Sequence, residues 1–220
     1  MTERSRPASV PSARFTGNPF ERSLREGVLS AGDLLPFAVN LHELVGSNVA
    51  SAQLMAQRHS EERYGEFYRT IADGEAEAIR LLAPFADAVR EAAPVDAPAR
   101  IDPLAQAYPA YIARTAVKGD ASDYLLCYLH LSPASTRTYR ELAETLKGVA
   151  GFADQDLAHF VFFGDTDPET NTLAETVARE IEQPELTRGY ELAQQLQYFE
   201  DLFWRRMVAV CTGRDDSHSI

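Results

Sequence analysis

Apolar positions recur along this chain with a helical period nearly from end to end. Asn18 is a helix cap with Pro19 at the first helical position, and Phe20, Leu24 and Val28 follow at steps of four. Ser30 or Asp33 opens the next helix, whose residues Leu34, Phe37, Leu41 and Leu44 share one face. Ala38, Val45, Val49 and Ala52 widen that stripe, which predicts a central helix, and Pro36 near its start would delay or bend it. Tyr64, Phe67 and Ile71 continue the pattern, which resumes at Ile79, Leu82, Phe85 and Val89 after a break at Gly74.

Residues 93–103 hold three prolines and predict a loop within one domain. A helix through Tyr108, Tyr111 and Thr115 ends at Gly119, and Asp120 with Asp123 predicts a capping arrangement for the next. That helix carries Leu125, Leu129 and Leu131, with Pro133 as a possible kink. Asp167, Pro168 and Glu169 open a further helix, and the last follows Leu192, Leu196, Phe199, Phe203, Met207 and Val210. The run His159 to Phe163 is the one candidate strand, and a single strand does not make a sheet. The expected class is all-α, with about seven or eight helices in one domain over residues 15–212. Residues 1–14, rich in Ser, Pro and Arg, and residues 213–220 are expected to be disordered tails.

Composition narrows the function. The 220 residues carry 21 Lys plus Arg against 33 Asp plus Glu, a formal charge of -12. Nucleic-acid binders and proteins of anionic membrane surfaces draw their affinity from the opposite sign, so both classes are disfavoured. No uncharged stretch reaches the roughly 18 residues of a spanning helix. Two cysteines, Cys127 and Cys211, make neither a disulfide scaffold nor a four-cysteine zinc site, and they suit a cytoplasmic location. Rossmann and Walker phosphate loops and the Gly-x-Ser-x-Gly elbow are missing.

Candidate chemistry comes from polar residues on apolar helix faces, where burial shifts pKa values. Glu200 flanks the stripe of the last helix, in line with Leu196 and Trp204. It is either a rim carboxylate paired with Arg205, Arg206 or solvent, or a pocket carboxylate whose burial tunes it for acid/base work. Cys127 and His130, three residues apart on one apolar helix, are the minimum for an activated nucleophile. Equally, Cys127 fits the core as a small hydrophobe. His59 with Glu62, and Asp156 with His159, have i, i+3 spacing, and His42 lies in the central helix; Glu-x-x-His, the signature of carboxylate-bridged di-iron bundles, does not occur. The tyrosines at 64, 68, 108, 111, 124 and 128 serve either a flat heteroaromatic ligand or the core.

The order of these signals resembles the TenA/thiaminase II family on the heme-oxygenase-like helical fold. Asn18-Pro-Phe20 and then Glu26-Gly-Val-Leu-Ser30 resemble that family's His-Pro-Phe and Asp-Gly-Thr-Leu-Pro opening. Lys118-Gly-Asp120 resembles its Ser-Gly-Asn turn, Phe163-Gly164 its Tyr-Gly, and Glu200-Asp-Leu-Phe-Trp204 its Glu-x-x-Phe-Trp signature. The resemblance spans roughly residues 15–210.

What the resemblance implies is hydrolysis of a C–N bond in an aminopyrimidine or similar heteroaromatic, in thiamine metabolism, by a homo-oligomeric enzyme without a cofactor. Glu200 matches the family's C-terminal Glu and would shuttle the proton; Cys127, one turn before the family's Cys position near Leu131, would be the displaced nucleophile, and His130 its base. The family's pyrimidine-gripping Asp falls near Leu41, so the adjacent Asn40 and His42 are the expected substrate contacts, with Tyr128, Phe163 and Trp204. A second branch of the fold implies a non-heme iron or cofactor-free oxidase, whose iron would be sought at His42, Glu62, His130, His159 and Glu200; Thr170 stands where that branch has a His. A non-catalytic ligand-binding protein is the third reading.

Overall fold

The side chain of Asn18 accepts hydrogen bonds from the backbone N–H groups of Phe20 and Glu21. With Pro19 in the first turn, this starts α1 (Pro19–Arg25) as the sequence leads one to expect. The helix stops earlier than the apolar spacing suggests: Gly27 takes a positive φ of 71°, and Val28 is left 47% exposed instead of extending the stripe. A computed structural model of the chain describes residues 17–97, 99–165 and 167–214. The expected tail 1–14 lies outside the described residues, as does 215–220 of the second tail.

Ser30 and Asp33 exchange capping bonds, the Ser30 N–H donating to Asp33 at 2.9 Å, around a short 3₁₀ turn. The long helix α2 (Leu35–Arg58) begins after that turn, so Pro36 falls in its first turn, where an N–H has no partner to lose, and does not bend it. The helix α3 (Gly65–Ala92) corrects the reading of Gly74 as a break, because it runs through that glycine uninterrupted. One interior glycine costs about 1 kcal/mol, less than is gained by burying Phe67, Tyr68, Ala78, Leu82, Phe85 and Val89 along one face.

The loop after α3 is fastened from α2 (Arg100 and Asp102 belong to this loop). The Asn40 amide donates to the Arg100 carbonyl at 2.9 Å and accepts from the Asp102 N–H at 2.8 Å. Then come α4 (Ala107–Lys118), α5 (Ala121–Gly148), α6 (Ala158–Gly164), α7 (Pro168–Ala178) and α8 (Gln183–Cys211). Gly119 ends α4, Asp120 and Asp123 form the capping box of α5, and the Asp167 side chain caps α7, all as expected. Pro133 sits on the exposed side of α5, which is helical on both sides of it. The candidate strand 159–163 is helical: His159 and Phe160 are buried while Val161 and Phe162 are exposed, which is a helical rather than an alternating pattern.

The result is an all-α, single-domain bundle in which α2 packs along α3 and α4, and α5 along α8 and α6. No helix among the described residues is long and apolar enough to cross a membrane. The core falls into three clusters. The largest joins α1, α2, α3, α6 and α8 through aromatic rings, with Phe20 and Phe37 centroids 4.4 Å apart and Phe85 edge-on to Phe160 at 4.9 Å. The second gathers Met55, Phe67, Tyr68, Leu125 and Leu126; the third holds Ile112, Cys127, Leu131, Ala193 and Leu196.

Candidate functional site

Where the three clusters meet, the packing leaves a cavity of about 450 Å³. This is the size of a site for a small organic ligand. Leu44, Val45, Phe203 and Trp204 come to its wall from the first cluster, Ile71, Tyr124 and Tyr128 from the second, and Cys127, Leu131 and Leu196 from the third.

Glu200 reaches this wall from α8. It stands on the same side of the helix as Leu196, one turn before, and Trp204, one turn after, so the stripe that docks α8 carries it inward. Ser135 of α5 donates its hydroxyl hydrogen bond to Glu200 Oε1 at 2.8 Å, and the Trp204 side chain also favours the ionised carboxylate. Burial pushes the carboxyl up to about 7, against the opposing pull of those two side chains and with a further push from Asp201. A rim carboxylate paired with Arg205 or Arg206 is therefore not what the fold makes of it: Arg206 instead bonds Asp102 at 2.5 Å, and Arg205 bonds the Asp201 carbonyl.

Sequence reasoning does not single out a second carboxyl, Glu75 of α3, which lines the same cavity. Burial alone pushes it up to about 7. One of its oxygens, Oε2, is buried with no hydrogen-bond partner. The signal was available, because Glu75 lies four residues after Ile71, four before Ile79 and seven before Leu82. Treating Gly74 as a break cuts that stripe in two and hides the residue. Tyr108 of α4 and Tyr139 of α5 also line the cavity, and both hydroxyls are pushed well above their ordinary range by burial and then by the two carboxyls. The phenols are thus protonated hydrogen-bond donors, facing two groups poised to gain or lose a proton near neutrality.

Of the residues expected from sequence, Cys127, Tyr128, Phe163, Glu200 and Trp204 are brought together on this wall. Tyr128 donates to Asn171 of α7 at 2.9 Å. Cys127 is 1% exposed, and burial, followed by the nearby Asp123, pushes its thiol far above the usual range. The thiol is protonated where it stands.

The other expected residues lie elsewhere. His130 is three residues after Cys127, and its ring faces α8: Nε2 is 3.1 Å from Gln197 Oε1, and the ring is edge-on to Tyr190. It does not line the cavity. Asn40 is fully buried but spent on the loop it fastens, and His42 points out to solvent. Helix α2 meets the cavity one turn later, with Leu44, Val45 and Asn48. The Asn48 side chain is 9% exposed, and its Oδ1 is buried without a partner.

The five residues named for iron do not converge. His59 pairs with Glu62 at 2.8 Å, with Glu62 exposed. His159 Nδ1 bonds the Ala78 carbonyl at 2.9 Å, and burial pushes its ring down to about 4, outweighing that bond. His42 is on the surface and His130 faces Gln197, which leaves Glu200 in the cavity apart from them. Among the described residues no group of three or more His, Cys, Asp and Glu is placed to hold a metal ion.

No protein-family model matches this chain, and no curated protein matches it.

Proposed function

We propose that this protein is a TenA-like small-molecule enzyme on a heme-oxygenase-like bundle, hydrolysing a C–N bond of an aminopyrimidine or similar flat nitrogen heteroaromatic. The observation that carries the reading is Glu200: a carboxyl anchored by Ser135, lining a ligand-sized cavity, and pushed to about 7. Such a group is both an effective acid and an effective base near neutral pH. The aromatic walls at Phe163, Trp204 and the tyrosines suit a flat ring.

Water is the attacking group in this proposal. The Cys127 thiol is held protonated by burial, and His130, its intended base, is turned toward Gln197. Ionised Glu200 takes a proton from water as the new C–O bond forms at the ring carbon. Protonated Glu200 then gives that proton to the exocyclic nitrogen as the C–N bond breaks, so the sum is aryl amine plus water to aryl alcohol plus ammonia. Tyr108 and Tyr139, protonated, are donors available to ring nitrogens that gain electron density in the adduct.

The test is ammonia release from a panel of aminopyrimidines. Wild type is expected to turn over at least one of them, Glu200→Gln to lose turnover by two orders of magnitude or so, and Cys127→Ala to keep it. Absence of release from the whole panel overturns the reading. Binding without turnover is a second reading, favoured by the same protonated thiol; saturable binding of an aminopyrimidine that is never consumed would establish it.

A further inference from the structure

The charge on the cavity wall has one sign. Glu75 and Glu200 lie within it, and Asp165 and Asp167 join it from the α6–α7 connection. No Lys, Arg or His among the described residues lines it. Asp167 is already occupied in capping α7 through the Glu169 and Thr170 N–H groups, and Asp165 is exposed. Inside, Glu200 has a donor in Ser135, but Glu75 has none: its Oε2 is unpartnered. Asn48 Oδ1 is in the same condition on α2, the helix packed along α3. Two residues that line one cavity thus each hold a buried acceptor atom without a donor, and such atoms cost free energy until one arrives. A phosphate or carboxylate would leave both unmet and would add repulsion from the carboxyls. A neutral apolar ring would fill the space and satisfy neither.

We propose that Glu75, with Asn48 of the same cavity lining, is the specificity-determining site for a planar nitrogen cation, an amidinium or a protonated ring amine, whose N–H groups supply the missing donors. The inference rests on the reading above for the cavity being the ligand site, and it adds the charge class of the ligand and the residue that selects it. The titratable groups that feel the charge of Glu75 are the phenols of Tyr108, Tyr124 and Tyr139, and the carboxyls of Glu200, Asp165 and Asp167 share the cavity wall with it. None of them brings a positive charge, so the counter-ion of an ionised Glu75 has to be the ligand. Binding a cation favours the ionised carboxyl, so affinity rises with pH across neutrality and complexation releases a proton.

Three shape-matched probes decide the point by calorimetry: benzamidine (cationic), benzamide (neutral) and benzoate (anionic). Wild type is expected to bind benzamidine roughly ten- to hundred-fold more tightly than benzamide, as one charge-assisted hydrogen-bond pair provides, and not to bind benzoate. Glu75→Gln, nearly isosteric, is expected to bring the benzamidine-to-benzamide ratio close to one, and Asn48→Leu to weaken benzamidine by roughly ten-fold. Glu200→Gln is expected to keep the preference. Equal affinity of wild type for benzamidine and benzamide, or a Glu75→Gln variant that retains the preference, overturns the proposal. The two readings fail separately: cation selectivity lost in Glu75→Gln with no aminopyrimidine hydrolysed leaves this inference standing without the enzyme, and hydrolysis with an unchanged KM in Glu75→Gln does the reverse.

Discussion

The hydroxyl of Ser135 donates to the carboxylate of Glu200 at 2.8 Å, joining α5 to α8 across the cavity wall. The bond favours the ionised carboxylate and so works against the burial that raises it. Ser135→Ala is expected to push Glu200 further up, moving the acidic limb of any pH–activity profile upward by roughly half to one pH unit, the equivalent of a hydrogen bond worth about 1 kcal/mol. An unchanged profile would show that the serine does not tune the acid.

Stability should respond to pH through the two half-buried glutamates of the cavity. Their carboxyls sit at about 7 in the folded protein, against an ordinary 4.5. The native state therefore binds more protons than the unfolded chain between those values, and stability falls as pH rises through that window, by up to about 3 kcal/mol for each group. Asp102 and Asp167 work in the opposite sense, since their carboxyls are held low, Asp102 by Arg206 against the cost of burial and Asp167 by its bonds to Thr170. Their contribution is lost only at more acidic pH. Denaturant unfolding at about pH 5 and pH 8 should show the decline in wild type and a much flatter response in the Glu75→Gln, Glu200→Gln double variant.

Both thiols should be sluggish in the native state. Burial pushes Cys127 far up and Cys211 to about 12, so thiolate is scarce at both. A disulfide reagent added at mildly alkaline pH is expected to modify neither thiol until denaturant is present, and then both. Rapid labelling of Cys127 in the folded protein would restore it as a nucleophile.

Asn40 should matter for stability and not for ligand. It bonds the Arg100 carbonyl, the Asp102 N–H and the Gln106 side chain, holding the loop that leads into α4. Asn40→Ala is expected to destabilise the fold by roughly 2 kcal/mol through the buried groups it strands, while ligand affinity stays within about two-fold. Calorimetric affinity and an unfolding curve on the same sample separate the two.

Gly189 should tolerate no side chain. A Cβ there would stand 2.2 Å from Leu126 Cδ1 and 2.9 Å from its Cβ, and the latter cannot rotate away. Gly189→Ala is expected to cost roughly 1–3 kcal/mol by forcing α8 off α5, seen as a lower denaturant midpoint.

Much of the fold was legible in the chain itself. The caps at Asn18, Asp120 and Asp167, the end of α4 at Gly119 and the stripe of α8 are local events, written in neighbouring residues. The sequence alone also pointed to Glu200, because a carboxylate flanking a long apolar stripe is carried inward when that stripe is buried. Reading fared worse where a local rule met a tertiary contact: Gly74 does not break α3, and the run 159–163 is helical, because each gains more from packing than its propensity costs.

Tertiary structure alone decided the company Glu200 keeps. Glu75, Asn48 and Ser135 come from α3, α2 and α5, far apart in the chain, and no spacing rule brings them to one cavity. It also turned His130 toward Gln197, outside the cavity lining that Cys127 joins, and sent Asn40 to a loop, because a side chain three or four residues along a helix shares a face only in part, and the helix packed against that face chooses which atoms meet. Periodicity fixes which side of a helix turns inward; the crossing of several such helices fixes what each inward group finds there.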